Sequence, residues 1–318
     1  MDVSIIEEPT YEGVEKLFQK VRKFKPQFCV GIGGGSLLDY TKGVAILFKN
    51  KPPAISYRGM DRVTRPGIPC ILVPSLAGSG AEVTPTASFT DSYSKIKLGI
   101  NGKYVSAASV FYDPRIYHRA PAGLKRKGIW DSLVHLTEAV TSKSANLLSK
   151  NLALDALMDL TQAAVAKEES ILRSIMNLRG SAKAAFAMMA AGGGITSGLS
   201  YPLGIYMKIP HAEAGGRILP NLIRAHIRKK YFAGYAFLSQ AFGKFTHATE
   251  KEKAKIYLRN IEKHFYKYKT KDTKKITIKN SKMLFLVKCL FMTRKHNLQS
   301  DPVVFSKKEI INILKNSL

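Results

Sequence analysis

Two stretches carry side chains of the kind that hold a metal ion. Asp131 and His135 stand four residues apart in a run of helical period, so a carboxylate oxygen and an imidazole nitrogen project to one face and can meet on one ion. The same Asp-x-x-x-His spacing also makes an ordinary polar pair on a helix surface. Glu138 lies on a nearby arc where it can orient the histidine, while Ile129, Leu133, Leu136 and Val140 mark a separate buried stripe. The second source is His211 in Ile209-Pro210-His211-Ala212-Glu213, just before a helix. A histidine there is either a ligand facing a cleft or a cap or solvated side chain. Taken together, Asp131, His135 and His211 make a set of two histidines and one carboxylate. Such a set suits Fe(II), with zinc or another divalent ion as alternatives, and leaves positions open for water or an alcohol oxygen.

A different chemistry is written in Val30-Gly31-Ile32-Gly33-Gly34-Gly35-Ser36. The apolar run 28–30 before it reads as a buried strand and residues 37–45 after it as a helix. Glycines let a phosphate approach the backbone, and the free N–H groups and dipole of a helix start favour an anion. Ser36 sits where an N-cap would. A P-loop is excluded because Leu37 follows Ser36 where a Gly-Lys-Ser/Thr sequence is needed. A Rossmann fingerprint is excluded because Pro52-Pro53-Ala54-Ile55-Ser56-Tyr57 offers no acidic residue for the ribose. What remains is a diphosphate-binding turn of another kind, or a turn made for tight packing. A second small-residue turn, from Val73 to Thr84, also leaves an apolar strand; its hydroxyls and N–H groups suit a phosphate or a ribose, or belong to an ordinary loop.

The elements that must position these groups change character along the chain. Residues 3–6 read as a short strand, Pro9-Thr10 opens a helix to about Phe24, and Lys25-Pro26 breaks it. A strand at 28–30 and a helix at 37–48 are followed by extended pieces at 54–57 and 70–73, then by short strands at 87–90, 96–100 and 110–112. After Pro121 the period is helical, at 124–141, 146–166, 168–189 with a continuation to 198, 212–225, 230–242, 250–266, 283–293 and 307–318. Residues 267–280 read as an exposed loop or a weak strand. The change near Ala120 predicts an α/β domain over 1–119 and an all-helical domain over 120–318.

Composition sets the outer bounds. The 318 residues, 45% hydrophobic, can bury a large core. Cys29, Cys70 and Cys289 are far apart and form no CxxC or zinc pattern, which fits a reduced intracellular protein. Neither a signal peptide nor a membrane span is visible. The net charge of +27 reads either as an anionic partner or as a solvated lysine-rich surface. Much of it falls in Arg228-Lys229-Lys230 and between Lys263 and Lys282, through Lys267, Lys269, Lys271, Lys274, Lys275 and Lys279. The lysines are spread over several elements without a nucleic-acid motif, which favours the solvated surface.

Several long motifs in one order then resemble the iron-containing (group III) alcohol dehydrogenases, within the superfamily that also holds dehydroquinate synthase and glycerol dehydrogenase. Gly33-Gly34-Gly35-Ser36 with Asp39 and Lys42 resembles GGGSxxDxxK. Pro74 to Thr84 is similar to PTTxGTGSExT, with departures at Ser75, Leu76, Ser79 and Ala81. Tyr112-Asp113-Pro114 resembles VDP, and the stretch from Gly128 to Glu138 resembles GxDALxHAxE. Leu199-Ser200-Tyr201-Pro202-Leu203-Gly204, Ile209-Pro210-His211 and Leu219-Pro220 resemble HALSYPLG…IPHGxA…LP, and Asp301-Pro302-Val303-Val304 resembles the closing segment.

The resemblance implies an α/β nucleotide-binding domain followed by an all-α domain, the dehydroquinate synthase-like fold of iron-dependent alcohol dehydrogenases, with a cleft between them for NAD or NADP and for Fe2+ or Zn2+. It places Asp131, His135, His211 and Tyr201 in catalysis. It places Gly34, Gly35, Ser36, Asp39, Ser75, Leu76, Ser79, Thr84, Thr86 and Lys97 on the cofactor. The metal would fall to Asp131, His135 and His211, with Ser197 standing where the family has a fourth, histidine ligand. A neutral hydroxyl is a poorer ligand than imidazole, so the expectation is a three-ligand site completed by water or a lost site, with Glu213 able to compensate. The family's first strand and its ribose-holding acid would precede Val3, so the fold is expected to be N-terminally shortened, and Glu8 replaces the usual asparagine before Pro9. The implied reaction is hydride transfer between nicotinamide and a small alcohol or aldehyde, in a cytoplasmic homodimer with no membrane or nucleic-acid partner. The alternative is a catalytically impaired member acting as a binding or structural subunit.

Overall fold

The computed structural model describes residues 8–94, 96–167, 170–263, 278 and 280–318. The chain divides into two compact units, Met1–Ala120 and Pro121–Leu318. The expected strand at 3–6, the start of the helix expected at 168, the end of the one expected over 250–266 and most of 267–280 lie outside the described residues, as do Lys267, Lys269, Lys271, Lys274, Lys275 and Lys279.

In the first unit, helix α1 (Tyr11–Val21) starts at Thr10, whose side chain accepts the Gly13 N–H at 2.9 Å. Its apolar stripe, Tyr11, Val14 and Phe18, is buried, and Lys25 at φ 46° turns the chain into β1 (Cys29–Gly33). There follow α2 (Gly35–Leu47), β2 (Gly59–Met60), β3 (Cys70–Pro74), β4 (Thr86–Thr90), β5 (Lys97–Asn101), β6 (Ser109–Val110) and α3 (Pro114–His118). The strands form a parallel sheet of order β1-β3-β6 and a mixed one of order β2-β5-β4. Register decides what matters here: Gly33 lies opposite Pro74, and Ser75 N–H donates to the Gly33 carbonyl at 2.8 Å, so both small-residue turns leave from adjacent strand ends at one level. In open α/β sheets that is where ligands bind.

Helix α2 is buried along nearly its whole length, from Leu38 to Leu47, and packs into a core where Phe89 meets Tyr11 and Tyr40. Burying a ring such as Phe89 contributes about 2–3 kcal/mol. The extended piece expected at 54–57 is instead a 3-10 turn, Ala54–Tyr57, because the Ser56 and Arg58 N–H groups close locally on the Pro53 and Ile55 carbonyls.

The second unit is helical: α4 (Ala122–Thr141), α5 (Leu147–Val165), α6 (Ile171–Ala191), α7 (Ile195–Met207), α8 (His211–Arg228), α9 (Ala233–Leu238), α10 (Glu250–Ile261), α11 (Asn280–Thr293), α12 (Lys295–Ser300) and α13 (Lys307–Ser317). Every residue of α4 from Trp130 to Thr141 is buried, so the helix that carries Asp131 and His135 is a central one. Leu133, Leu136, Leu157 and Ile223 belong to one core cluster; Leu199, Ile218, Leu286 and Leu290 belong to another. The expected continuation of a helix from 189 to 198 does not occur. Gly192 at φ 78° ends α6, and a separate helix begins at Ile195 and runs to Met207 with Pro202 inside it. Among the described residues no helix is long and apolar enough to cross a membrane.

Candidate active site

Asp131 and His135 lie one turn apart on α4, both almost wholly buried, and His211 is the first residue of α8. The Asp131 Oδ1 atom is 3.7 Å from His135 Nε2 and 3.7 Å from His211 Nε2. Both separations are too long for hydrogen bonds, and the two imidazole nitrogens lie near the same carboxylate oxygen. On the outer side of His211, the Ser200 hydroxyl lies 2.9 Å from Nδ1. Tyr201 stacks on the His211 ring with centroids 4.1 Å apart and a tilt of 32°, and the Arg294 guanidinium carbon lies 4.2 Å from the Tyr201 centroid. Burial pulls the Arg294 pKa down from its ordinary value, and the neighbouring Tyr201 opposes this.

Glu138 is not the orienting partner of His135. Its carboxylate accepts the Ser197 N–H at 3.0 Å, the Ser197 hydroxyl at 2.5 Å and the Gly194 N–H. Burial pushes its pKa up; the Ser197 bonds pull the other way. Ser197, expected at the metal, therefore has its hydroxyl proton committed to Glu138. Glu213 is also engaged: Lys127 is 3.0 Å and Arg217 2.8 Å from its oxygens. Burial raises its pKa, but the bonds from Arg217 and Lys127 outweigh that and leave it below the usual carboxylate value. Glu213, expected as a compensating ligand, is thus held by two cations.

The donor set fits a divalent cation in kind. Two imidazole nitrogens lie near one carboxylate oxygen at separations longer than hydrogen bonds, and His135 Nδ1 is buried with no hydrogen-bond partner among the described residues. Ligand bonds of about 2.1 Å set neighbouring donors roughly 3.0–3.4 Å apart, so the side chains must close by a few tenths of an ångström. In keeping with that gap, no group of three His, Cys, Asp or Glu side chains forms a ready-made cage among the described residues.

In the first unit, the N-cap of α2 is Gly34 rather than Ser36, because the Leu37 and Leu38 N–H groups both close on the Gly34 carbonyl, at 3.0 and 3.1 Å. Gly34 is extended, at φ −78° and ψ 177°, and no side chain caps this helix. The second turn presses on the first. A Cβ on Gly34 would lie 3.1 Å from Leu76 Cδ1, and one on Gly35 would lie 2.7 Å from the Ser79 hydroxyl. Only a chain without side chains at 34 and 35 leaves the backbone N–H groups approachable.

Lys42 and Asp39 work behind that surface. Lys42 is fully buried and donates to the carbonyls of Ala81 at 2.6 Å, Thr84 at 3.1 Å and Thr86, which ties the second turn and β4 to α2. Burial pulls the Lys42 pKa down, against the pull of Asp39. Asp39, expected on the cofactor, is itself buried: it accepts the Ser88 N–H at 3.0 Å, stands 3.7 Å from Lys42, and has its pKa raised by burial. Thr84 is buried with its N–H on the Gly80 carbonyl, Thr86 opens β4, and Lys97 pairs with Glu8. Arg294 carries no sign of its position in the sequence, and Ser200 enters there only within the stretch Leu199 to Gly204.

Comparison with known proteins identifies the lineage. The family model for iron-containing alcohol dehydrogenase matches residues 3–114, and that for the Fe-containing alcohol dehydrogenase family, C-terminal, matches residues 127–318. The chain belongs to the iron-containing alcohol dehydrogenase family. Among its relatives, the NAD-dependent methanol dehydrogenase of Bacillus methanolicus is 26% identical over 312 residues, covering 95% of this chain and 81% of the relative. The sulfoacetaldehyde reductase of Bilophila wadsworthia (strain 3_1_6) is 29% identical over 150 residues, covering 47% of this chain but 39% of that protein. The fold is that of the solved structures of an alcohol dehydrogenase from Oenococcus oeni (TM-score 0.91, 20% identity) and of a 1,3-propanediol oxidoreductase (TM-score 0.90, 22% identity), each covering 99% of this chain and 83% of the other.

Proposed function

We propose that this iron-containing alcohol dehydrogenase family member moves a hydride between NAD or NADP and a small alcohol or aldehyde, with a divalent ion, Fe2+ or Zn2+, held by Asp131, His135 and His211. The observation that carries the reading is the convergence of two Nε2 atoms on one Asp131 oxygen at 3.7 Å. A divalent ion at that point supplies Lewis-acid polarisation of the substrate oxygen. The side chains divide the remaining work. Asp131 supplies negative charge, and the two imidazoles supply nitrogen donors. Tyr201, stacked on His211, holds that ring's plane and presents an apolar face.

On the first unit, the uncapped start of α2 receives the cofactor diphosphate on the N–H groups at Gly34, Gly35 and Ser36, with Ser75, Leu76 and Ser79 forming the opposite wall. Lys42 and Asp39 hold the two turns in place from inside. Thr84, Thr86 and Lys97 carry the cofactor contacts the family motif assigns to them. A NAD-dependent methanol dehydrogenase and a sulfoacetaldehyde reductase among the relatives support a small substrate and NAD as the first cofactor to try. We further place the protein in the cytoplasm as a homodimer.

A second reading, a binding or structural subunit without turnover, is favoured by the engagement of Ser197 with Glu138. Oxidation of NADH and NADPH by protein loaded with Fe(II) or Zn(II), over a panel of short aldehydes, separates the two. Turnover that Asp131→Asn abolishes supports the dehydrogenase; no turnover with either metal or cofactor, in protein that still binds NADH, supports the silent subunit.

A further inference from the structure

Ser200, on α7, has no solvent exposure and two polar neighbours. Its oxygen lies 2.8 Å from the carbonyl oxygen of Ser197 and 2.9 Å from His211 Nδ1. A hydroxyl has one proton to give, and a backbone carbonyl can only accept. Two oxygens at 2.8 Å need a proton between them, and Ser200 is the group that has it. The hydroxyl therefore donates to Ser197 and turns a lone pair toward His211, so Nδ1 must carry the hydrogen. In a neutral imidazole that leaves Nε2 bare, and Nε2 is the atom that faces Asp131 at 3.7 Å.

We propose that Ser200 is a positioning residue that holds His211 in the Nδ1–H tautomer, so that the Nε2 electron pair is permanently presented at the point where Asp131 and His135 converge. The hold is itself anchored. The carbonyl that accepts from Ser200 belongs to Ser197, whose N–H and hydroxyl are both fixed by Glu138 on α4. A line of hydrogen bonds thus runs from α4 through α7 to α8 and ends on the ring of His211. His135 is treated differently, because its Nδ1 has no such partner among the described residues. Ser197 and Ser200 together give this chain a means of preparing one of its two imidazoles.

The inference rests on the reading of Asp131, His135 and His211 as a metal site, yet its first test needs no metal. Metal-free protein with 15N-labelled histidine rings is observed by two-bond 15N–1H correlation about two pH units above the ordinary imidazole pKa of about 6.5, where the rings are neutral. The His211 signals are assigned by their loss in His211→Gln. The expected result is a His211 ring protonated at Nδ1 in the wild type and in Ser200→Thr, and a mixture containing the Nε2–H form in Ser200→Ala. A wild-type His211 protonated at Nε2, or an unchanged tautomer in Ser200→Ala, overturns the proposal, and the wild-type spectrum decides alone should Ser200→Ala fail to fold. Zinc affinity by chelator competition is expected to fall roughly tenfold to a hundredfold in Ser200→Ala and to recover in Ser200→Thr. A tautomer that shifts as expected in protein that binds no zinc leaves the assignment of Ser200 standing and removes the metal site instead.

Discussion

Glu138 accepts both the backbone N–H of Ser197, at 3.0 Å, and its hydroxyl, at 2.5 Å, so both donors of Ser197 are bound to one buried carboxylate. The pair fixes the start of α7 against α4 where the chain has just left the bend at Gly192. A Cβ on Gly194 would stand 3.0 Å from Glu138 Oε1, so a side chain there would have to push that carboxylate aside by a few tenths of an ångström. Ser197→Ala keeps the backbone bond and deletes the hydroxyl, leaving one buried oxygen without that donor. It is expected to destabilise the protein by about 1–3 kcal/mol. Urea unfolding of the two proteins at neutral pH measures the difference.

Lys42 is the internal clamp of the first unit. Its ammonium satisfies the carbonyls of Ala81, Thr84 and Thr86 and is the cation nearest Asp39. Lys42→Met keeps the volume and removes the charge, so three buried acceptors and a buried acid lose their partner together. The expected cost is about 3–5 kcal/mol, read as a lowered urea midpoint.

Gly35 separates the two turns by having no side chain, since a Cβ there would meet the Ser79 hydroxyl at 2.7 Å. Gly35 already has helical geometry, so alanine is accepted by the backbone and the intrusion falls on the gap between the turns. Gly35→Ala is expected to weaken NADH binding by about tenfold, on the order of 1.4 kcal/mol, with a small change in melting temperature. Fluorescence titration of bound NADH and a thermal melt report the two quantities separately.

Glu309 completes the capping box of α13 with Ser306 and has its pKa lowered to about 2, first by the Lys229 bond at 2.7 Å and then by the Ser306 N–H and hydroxyl. A carboxylate with a depressed folded-state value adds stability that is fully present above its unfolded value of about 4.5 and is lost as the pH falls toward 2. The melting temperature of the wild type should therefore exceed that of Glu309→Gln at pH 6 to 7, and the gap should close progressively below about pH 4.5. A gap that is constant from pH 7 to pH 3 would show that Glu309 acts through shape alone.

What the sequence made legible was whatever depends on local spacing. Asp131 and His135 share a helix face because they are one turn apart, and the glycines at 33 to 35 mark a strand-to-helix turn whatever lies around them. Register was not legible, yet it is the pairing of Gly33 with Pro74 that sets the two turns side by side. The direction of a polar side chain on a buried helix was equally hidden. Glu138 follows His135 closely enough to look like its partner, but bonds instead to a residue on another helix. Ser36 has the side chain of a cap, yet the extended Gly34 lets α2 begin before it. Glu213 looked available beside His211, and its cations come from Lys127 on α4 and from Arg217 one turn further along α8.

The account stands on Asp131, His135 and His211 sharing one ion. Calorimetric titration of anaerobic, metal-free protein with Zn(II) or Fe(II) tests that most directly, with Asp131→Asn and His211→Gln measured alongside the wild type. One ion per chain in the wild type, with affinity reduced at least a hundredfold in either variant, is the predicted result. No binding by the wild type, or binding that both substitutions leave unchanged, would contradict it.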